Sequence, residues 1–418
     1  MAQIRELSGT LLQNRSYLLN FLSMSNSTRI SNTGLVSQIA TSEVVLRKAY
    51  DLCVSKTRRN IVILADHPKT YAFDKNGDYS QWKEGFFEIG NWTSSFFTGM
   101  ALIAYETTKD AHFLNQLTRL SGVYADKVSR EAFALDTMHD LGFLYTLYSV
   151  GLWKVTGSSI HRAVGIKAAE TLAKRFVPNG EYIRAWGRMN DNSTDSAGLA
   201  IIDCMMNLPL LFWASKETLN AYFQQVAVKH ADTTAACLIR ADDTVCHAYR
   251  FDLKTGKPVR EDNYCGANVG SHWARGTAWA IYGFAMAYRF TKDTRYLDIS
   301  IRLSEKFLSL LDAEIVPIWD FREQTEIRDS SAASIAAAGL YELAALCTKA
   351  NDYSEKADRL LIKLAKDYVD YNEQVPGVLS RAQVGDGVGK ARNAFTSWGD
   401  YFLMEALARR LFKQATFW

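Results

Sequence analysis

The chain has 418 residues, with 48 Lys and Arg against 45 Asp and Glu and a formal net charge of +3. A balance this close to neutral gives no reason to expect a nucleic acid or a membrane as a partner. Hydrophobic residues make up 48% and charged residues 22% of the chain, which excludes a disordered or fibrous protein. Only 6 residues are proline, about 1.4% against a typical value of about 5%, and 12% are aromatic. A long chain poor in helix breakers and rich in large rings predicts one large helical body.

The N-terminal segment and the cysteines indicate the compartment. Arg5, Glu6 and Arg15 interrupt the first residues, so no apolar core of signal-peptide length is expected. The chain has no run of about 18 apolar residues that would predict a membrane-spanning helix. The six cysteines are scattered and form no CxxC pair, and the histidines show no metal-ligand spacing. We predict a cytoplasmic protein with reduced thiols and without a metal or other cofactor; the oligomeric state stays open.

Segments with helical periodicity dominate the chain from about residue 40 onward. Tyr296, Ile299 and Leu303, for example, are spaced by three or four residues and form one apolar stripe. Residues 1–35 are polar and weakly patterned, and we interpret them as an N-terminal extension before a single domain over residues 36–418. The same reasoning predicts twelve helices, over residues 41–57, 91–108, 110–128, 139–156, 159–177, 196–213, 216–236, 272–291, 293–312, 329–349, 353–371 and 395–413.

The predicted helices alternate in character along the chain. Those that begin near residues 91, 139, 196, 272, 329 and 395 are rich in glycine, alanine, aromatic and apolar residues, and the others have charged faces. A helix that is apolar all round is buried, whereas one with a single stripe lies outside. Six of each kind predict an all-α fold, the (α/α)6 barrel, in which six outer helices surround six inner ones. An open solenoid is the alternative, but its apolar inner helices would be difficult to cap.

The most informative stretch is the almost wholly apolar helix predicted over residues 196–213, because it contains Asp203. Asn207 follows four residues later and therefore lies on the same helical face. Burying an unpaired carboxylate costs several kcal/mol, and the usual response is a raised pKa, which suits a general acid. A buried aspartate satisfied by a helix N-terminus or an arginine is the structural alternative. Pro209 falls inside this predicted helix and is expected to kink it.

A second carboxylate, Asp140, opens the helix predicted over residues 139–156. Capping the helix N-terminus is the usual role of aspartate at such a position. If the inner helices run parallel, however, this helix start faces the same rim of the barrel as the first part of the helix that carries Asp203. Asp140 is therefore a candidate for either a structural or a functional role.

A third stretch, from Trp273 through Arg275 to Trp279, begins another inner helix, and His247 lies upstream of it. Aromatic faces stack on sugar rings, and arginine binds a carboxylate with a two-pronged fork. These residue types therefore suit an anionic sugar. An ordinary aromatic core with a capping arginine is the alternative, and the spacing of the two tryptophans does not decide between them.

At these stretches the chain resembles the unsaturated glucuronyl hydrolases of glycoside hydrolase family 88. The resemblance implies the same (α/α)6 barrel as the helix count. The chain departs from the family pattern at Cys265-Gly266 and Val384-Gly385, which bear on the preferred leaving sugar. The motifs that carry the resemblance are His139-Asp140-Leu141-Gly142-Phe143, Ala185-Trp186-Gly187, Ile201-Ile202-Asp203-Cys204, Trp273-Ala274-Arg275-Gly276-Thr277-Ala278-Trp279, Arg328-Asp329-Ser330-Ser331-Ala332 and Trp398-Gly399-Asp400-Tyr401.

The resemblance implies a reaction on small oligosaccharides that carry a 4,5-unsaturated uronic acid at the non-reducing end, as polysaccharide lyases produce. An acid protonates C4, water adds at C5, and the resulting hemiketal opens and releases the remaining sugar. Carried over by motif, Asp203 is the general acid and base, and Asp140 is the second essential carboxylate. The substrate-binding residues implied in the same way are Trp92, Trp186, His247, Trp273, Arg275 and Trp279.

Two alternatives to this assignment stay open at the level of sequence. The first is an unsaturated rhamnogalacturonyl hydrolase of the related family 105, which resembles family 88 in barrel and chemistry. The second is a non-catalytic helical scaffold that binds glycans or proteins. The pair Asp203 and Asp140 argues against the scaffold, because a scaffold gains nothing from buried carboxylates.

Overall fold

The computed structural model divides the chain into two units, residues 1–45 and residues 46–418. Of the first unit it describes only the beginning of helix α1 (Arg29–Asp66), so most of the predicted extension over residues 1–35 lies outside the described residues. Among the described helices none is long and apolar enough to cross a membrane. The described ranges are 29–66, 92–130, 137–385, 393–414 and 416–418, with side chains from residue 42 onward.

The second unit is built around a closed ring of apolar helices. Each helix of this ring contacts the next one along the chain, and the last contacts the first, which leaves no solenoid end. The predicted (α/α)6 barrel is therefore confirmed. The inner helices are α2 (Ser94–Thr108), α5 (Leu141–Tyr145) continued by a π-helical turn (Thr146–Val150) and α6 (Gly151–Thr156), α8 (Leu208–Thr218), α10 (Ala274–Thr291), α12 (Ser330–Leu346) and α14 (Ser397–Phe412).

The outer helices bury only one face, as the single apolar stripe in their sequences predicts. Helix α11 (Thr294–Ser309) buries Tyr296, Leu303 and Phe307, and the carboxylate of Asp293 accepts the N–H of Arg295 as an N-cap. Part of α1 joins this layer, where Tyr50 contacts an inner helix. The other outer helices are α3 (Ala111–Arg119) and α4 (Ser121–Ser129), which divide the helix predicted over 110–128, then α7 (Ser159–Ala173), α9 (Ala221–Cys237) and α13 (Ala350–Asp367).

One predicted helix is wrong in its first half, and this half carries Asp203. Residues Leu199–Ile201 form strand β3, residues Ile202–Met206 form a 3-10 turn, and helix α8 begins only at Leu208. Pro209 therefore lies in the first turn of α8, where no helical hydrogen bond is lost, so the predicted kink is wrong. The apolar sequence of Leu199–Ile201 is compatible with a buried strand as well as with a buried helix. It forms a strand here because a second strand pairs with it.

That partner comes from a long connection on the same rim of the barrel. Strand β3 pairs antiparallel with β4 (Ala248–Phe251), so that Ile201 lies opposite Ala248, and β4 pairs antiparallel with β5 (Pro258–Asp262). This small sheet holds the Asp203 turn next to His247, which immediately precedes β4. The remaining strands, β1 (Phe176–Val177) and β2 (Tyr182–Ile183), pair with each other.

Candidate active site

Asp203 lies in the 3-10 turn that connects β3 to α8. Its side chain is 16% exposed, and its Oδ2 atom is buried without a hydrogen-bond partner among the described residues. Burial raises the pKa of Asp203 to about 6, against the opposing effects of the Arg275 charge, its own backbone N–H and the indole of Trp279. The carboxyl group is therefore protonated under mildly acidic conditions, as a general acid must be.

Asp140 stands at the N-cap position of α5, but its carboxylate makes no capping hydrogen bond. Asp140 therefore does not serve as the N-cap that its position favours. Burial, followed by the charge of Asp203, raises the pKa of Asp140 well above its usual range, while Arg175 opposes the shift. The structure thus brings the two predicted carboxylates close enough for the charge of Asp203 to act on Asp140.

His247 directs a ring nitrogen at Asp203. Its Nδ1 atom accepts the backbone N–H groups of Tyr264 at 2.9 Å and Cys265 at 3.0 Å, so this hydrogen-bond network assigns the ring proton to Nε2. The Nε2 atom lies 3.9 Å from Oδ2 of Asp203. His247 therefore presents an N–H group to the acid, and its tautomer is set by two backbone donors.

A row of aromatic rings leads from Asp203 across the inner end of the site. The indole N–H of Trp279 lowers the pKa of Asp203 although the two groups do not meet the geometry of a hydrogen bond. The ring of Trp279 lies 5.3 Å from that of Phe143, which lies 5.5 Å from the ring of Trp92. Two of the predicted pocket tryptophans are therefore joined through the phenylalanine that follows Asp140 by three residues.

The other two predicted tryptophans flank His247. Trp273 lies 4.7 Å from the imidazole ring. Trp186 is only partly buried and packs edge-on against Tyr264 at 4.9 Å, and the N–H of Tyr264 is one of the two that hold His247. Trp273 therefore contacts His247 directly, whereas Trp186, which is partly exposed, is linked to it through Tyr264.

Arg275 is almost fully buried, and its terminal nitrogens are occupied by internal acceptors. One terminal nitrogen lies 3.2 Å from the carboxylate of Asp329 and also donates to the carbonyl of Gln383, and the other donates to Val384 at 2.6 Å. The guanidinium carbon also lies 4.6 Å from the ring of Trp273. Arg275 therefore builds the wall of the site and acts on Asp203 through its charge, while a direct contact with substrate stays a prediction.

Asn207 joins the two segments that carry the carboxylates. Its Oδ1 atom accepts the N–H of Phe143 at 2.7 Å, and its Nδ2 atom donates to the carbonyl of Asp203 at 3.2 Å. The segments approach so closely at Gly142 that a Cβ atom there would lie 2.3 Å from Cα of Asn207. The distance between the Asp140 turn and the Asp203 turn is thus set by one amide and one glycine.

Replacing Asn207 with leucine is expected to lower kcat/KM by about 10²-fold, because a small displacement of either turn moves a carboxylate out of register. The buried N–H of Phe143 would lose its acceptor, at a cost of about 1–3 kcal/mol in the free energy of unfolding. Initial rates and urea unfolding measure the two effects. Asn60→Leu is the matched control, because Asn60 is also buried and donates to Pro376 on the outer layer. The positioning role of Asn207 is wrong if both variants keep wild-type kcat/KM.

Sequence reasoning missed several residues of this site. His139, whose Nε2 atom lies 3.4 Å from Oδ1 of Asp140, was adjacent in the motif and could have been found. Arg175 follows the end of α7, and basic residues are so common at the C-terminal ends of helices that this one gave no functional signal. Trp398, which stacks on Trp92 at 4.7 Å, comes from the far end of the chain. Among the described residues no group of three His, Cys, Asp or Glu could hold a metal ion.

Comparison with known proteins decides the family. Residues 63–297 match the family model described as Glycosyl Hydrolase Family 88. The chain belongs to that family. The unsaturated glucuronyl hydrolase of Bacillus sp. strain GL1 is 32% identical to this family 88 chain over 327 residues, which are 76% of this chain and 86% of that protein. The unsaturated chondroitin disaccharide hydrolase of Streptococcus pyogenes serotype M1 is 33% identical over 379 residues, 88% of this chain and 92% of that protein.

Solved structures agree with this assignment. The crystal structure of the Bacillus sp. GL1 enzyme matches with a TM-score of 0.82 and 29% identity, over 88% of this chain and 97% of that one. The unsaturated glucuronyl hydrolase of Streptococcus agalactiae matches with a TM-score of 0.81 and 27% identity, over 90% and 94%. The resemblance inferred from the motifs is confirmed, and this family 88 member is a glycoside hydrolase, not a scaffold.

Proposed function

We propose that this enzyme removes a 4,5-unsaturated uronic acid from the non-reducing end of small oligosaccharides produced by polysaccharide lyases. One observation carries the proposal: the carboxyl of Asp203 is buried, with its Oδ2 atom 3.9 Å from Nε2 of His247 and without a hydrogen-bond partner among the described residues. Burial raises its pKa to about 6, and a second buried carboxyl, Asp140, belongs to the same site. A variant of the Streptococcus agalactiae relative has been crystallised with dGlcA-GalNAc6S, which supports a substrate of this class.

The first step is a proton transfer to carbon. The unsaturated ring contains a vinyl ether, in which the C4–C5 double bond is conjugated with the ring oxygen. Protonated Asp203 gives its proton to C4, the π electrons form the new C4–H bond, and the ring oxygen shares the positive charge left at C5. The carboxylate so formed faces the N–H groups of His247 and Trp279 and the charge of Arg275, which stabilise it.

The second step is the addition of water. Asp203, now ionised, accepts a proton from the water that bonds to C5, which gives a hemiketal and restores the acid. The C5–O5 bond then breaks to leave a ketone at C5, and the hemiacetal at C1 collapses to an aldehyde and releases the remaining sugar. The balance consumes one water molecule. Because water never attacks the anomeric carbon, the separation of the carboxylates does not predict stereochemistry here.

The other side chains bind and orient the ring. Asp140 accepts hydrogen bonds from sugar hydroxyl groups when it is ionised and donates one when it is protonated, and the charge of Asp203 favours its protonated form. The accessible face of Trp186 offers a surface on which a sugar ring stacks. Trp92, Trp273 and Trp279 exclude water from the reacting carbons. The charge of Arg275 favours the uronate carboxylate, although other acceptors hold its terminal nitrogens.

The reaction is expected to slow as pH rises through about 6. The raised pKa of Asp203 means that its protonated form, which donates to C4, predominates below about 6 and is lost above it. Initial rates of chromophore loss at subsaturating substrate give kcat/KM. Measured from about pH 4.5 to about pH 8.5, they show whether kcat/KM declines above pH 6. A rate that stays level or increases between pH 6 and pH 8 contradicts the assignment of Asp203 as the acid.

The proposed substrate class is tested by the ultraviolet absorbance of the unsaturated uronide, which hydration destroys. Purified enzyme is expected to remove this absorbance from at least one member of a panel of disaccharides that lyases produce from glycosaminoglycans, gellan, xanthan and rhamnogalacturonan. The saturated counterpart of the best substrate, which lacks the vinyl ether, is expected to remain intact. If no member of the panel loses absorbance, the proposed function is wrong.

We also infer that the enzyme works in the cytoplasm. All six cysteines are present as thiols, as a reducing compartment requires. Cell fractionation with an assay of chromophore loss tests this location, and activity confined to the medium or the cell envelope contradicts it.

A further inference from the structure

Arg175, at the end of α7, is fully buried and makes an unusual set of contacts. Burying an arginine side chain costs free energy, and a buried arginine is normally paired with a carboxylate. Within the described ranges no carboxylate forms a hydrogen bond with Arg175. Its side chain instead donates to four backbone carbonyl groups, those of Thr137, Arg184 at 2.8 Å, Gly187 at 3.0 Å and Ala185 at 3.4 Å.

These carbonyl groups belong to two segments that line the active site. Thr137 lies three residues before Asp140, while Ala185 and Gly187 enclose Trp186. A direct contact also joins the segments, because the N–H of His139 donates to the carbonyl of Ala185 at 3.0 Å. Arg175 therefore holds the turn that carries Asp140 against the segment that carries a pocket wall.

The charge of Arg175 also faces the site. The groups that face Asp140 are His139, at 3.4 Å, then Asp203, Cys204 and Arg175. Of these four, Arg175 is the one that lowers the pKa of Asp140. Burial lowers the pKa of Arg175 itself to about 10, with a smaller opposing effect from Asp140, so the guanidinium remains charged at neutral pH.

We propose that Arg175 is a positioning residue for the hydration reaction, which fixes the Asp140 turn through the carbonyl of Thr137 and supplies the buried positive charge that faces the Asp140 carboxyl. It touches neither substrate nor the reacting atoms. This role goes beyond filling space at a helix end, because it links one side chain to both the geometry and the ionisation of the second carboxyl.

Arg184 is the matched control. It is also buried, and it donates to the carbonyl of Trp186 at 2.9 Å and the carbonyl of Asp191 at 2.8 Å, so it supports the same segment. It is not among the groups that shift the pKa of Asp140. Arg175→Met and Arg184→Met both remove a buried guanidinium group. Only Arg175→Met also removes the positive charge that acts on Asp140.

The experiment measures the thermal unfolding midpoint from about pH 4 to about pH 9. A carboxyl whose pKa is raised in the folded state destabilises the fold as pH rises, and removing the charge of Arg175 raises the pKa of Asp140 further. The deficit of Arg175→Met relative to wild type is therefore expected to grow with pH. The deficit of Arg184→Met is expected to be constant above about pH 5, because Asp191, whose pKa Arg184 lowers, is already ionised there. In an Asp140→Asn background the pH dependence of the Arg175→Met deficit is expected to vanish.

Activity gives a second readout, and this one rests on the proposed function. Arg175→Met is expected to lower kcat/KM at least tenfold, because the Asp140 turn is displaced, while the pH near 6 at which kcat/KM declines stays in place, because Arg175 is not among the groups that shift the pKa of Asp203. Should Arg175→Met not fold, Arg175→Gln, which removes the charge, and Arg175→Lys, which keeps it, carry the same comparison. A deficit for the uncharged variant that is constant with pH, or that persists in the Asp140→Asn background, overturns the proposal. Unfolding is measured without substrate, so failure of the proposed function is distinguishable from failure of this inference.

Discussion

Replacing Asp203 with asparagine is expected to reduce the rate of chromophore loss by at least about 10³-fold, within the range that general acid–base catalysis contributes. The amide has nearly the same size and fits the same turn, but it can neither give a proton to C4 nor take one from water. The rate with the best disaccharide of the panel measures this directly. Asp298→Asn, on an exposed position of α11, is the control and is expected to keep wild-type activity.

The same variant has a second signature in stability. The folded pKa of Asp203, about 6, exceeds its ordinary value of 3.8, so the fold loses stability as pH rises between these values. The difference amounts to about 3 kcal/mol at about 1.4 kcal/mol per pH unit. Asp203→Asn is therefore expected to gain about this much relative to wild type between pH 4 and pH 8. Loss of activity with an unchanged pH dependence of urea unfolding would contradict the assigned pKa.

Replacing Asp329 with alanine is expected to cost about 3–5 kcal/mol in the free energy of unfolding, the usual effect of breaking a buried ion pair. The side chains of Asp329 and Arg275 are 0% and 2% exposed, so the guanidinium would be left in the interior without its counterion. The carboxylate also caps α12 by accepting the N–H of Ser331 at 3.0 Å. Urea unfolding measures the change.

Asp293→Ala provides the matched control for this second prediction. Asp293 caps α11 in the same way, through the N–H of Arg295, but lies on the outer layer. Loss of an N-cap costs about 1 kcal/mol, so the excess for Asp329→Ala measures the buried pair. If the two variants lose equal stability, Arg275 is not held by Asp329 as described.

The barrel could be predicted because its signals are local. An outer helix such as α11 has to show an apolar stripe, and an inner helix such as α10, which is buried along most of its length, has to be apolar all round. Both patterns are visible within a single turn or two of helix. The closure of the ring followed from the number of such helices rather than from any one of them.

The turn that carries Asp203 could not be predicted from its own residues. Leu199–Ile201 is apolar enough for a helix, and only its pairing with residues 248–250, about fifty positions later, makes it a strand. A proline one residue after the start of α8 was consistent with either reading. The buried setting of Asp203 was nevertheless visible, because apolar neighbours surround it in both conformations.

The supports of the site depend on contacts between distant segments. Arg275 was expected to face the uronate, whereas its partner, Asp329, lies 54 residues away. Arg175 donates to backbone carbonyl groups. Because every residue has one, the sequence does not indicate which carbonyl groups these are. The side chains that perform chemistry could be named from motifs, but those that position them required the fold.

The central claim is that the double bond reacts first and the glycosidic bond breaks as a consequence. The most direct measurement follows two quantities in one reaction, the ultraviolet absorbance of the unsaturated uronide and the amount of released leaving sugar in samples quenched within seconds. We predict that absorbance is lost as early as, or earlier than, the sugar is released at every time point. Released sugar that accumulates while the absorbance persists would mean direct cleavage at the anomeric carbon and would contradict the hydration mechanism.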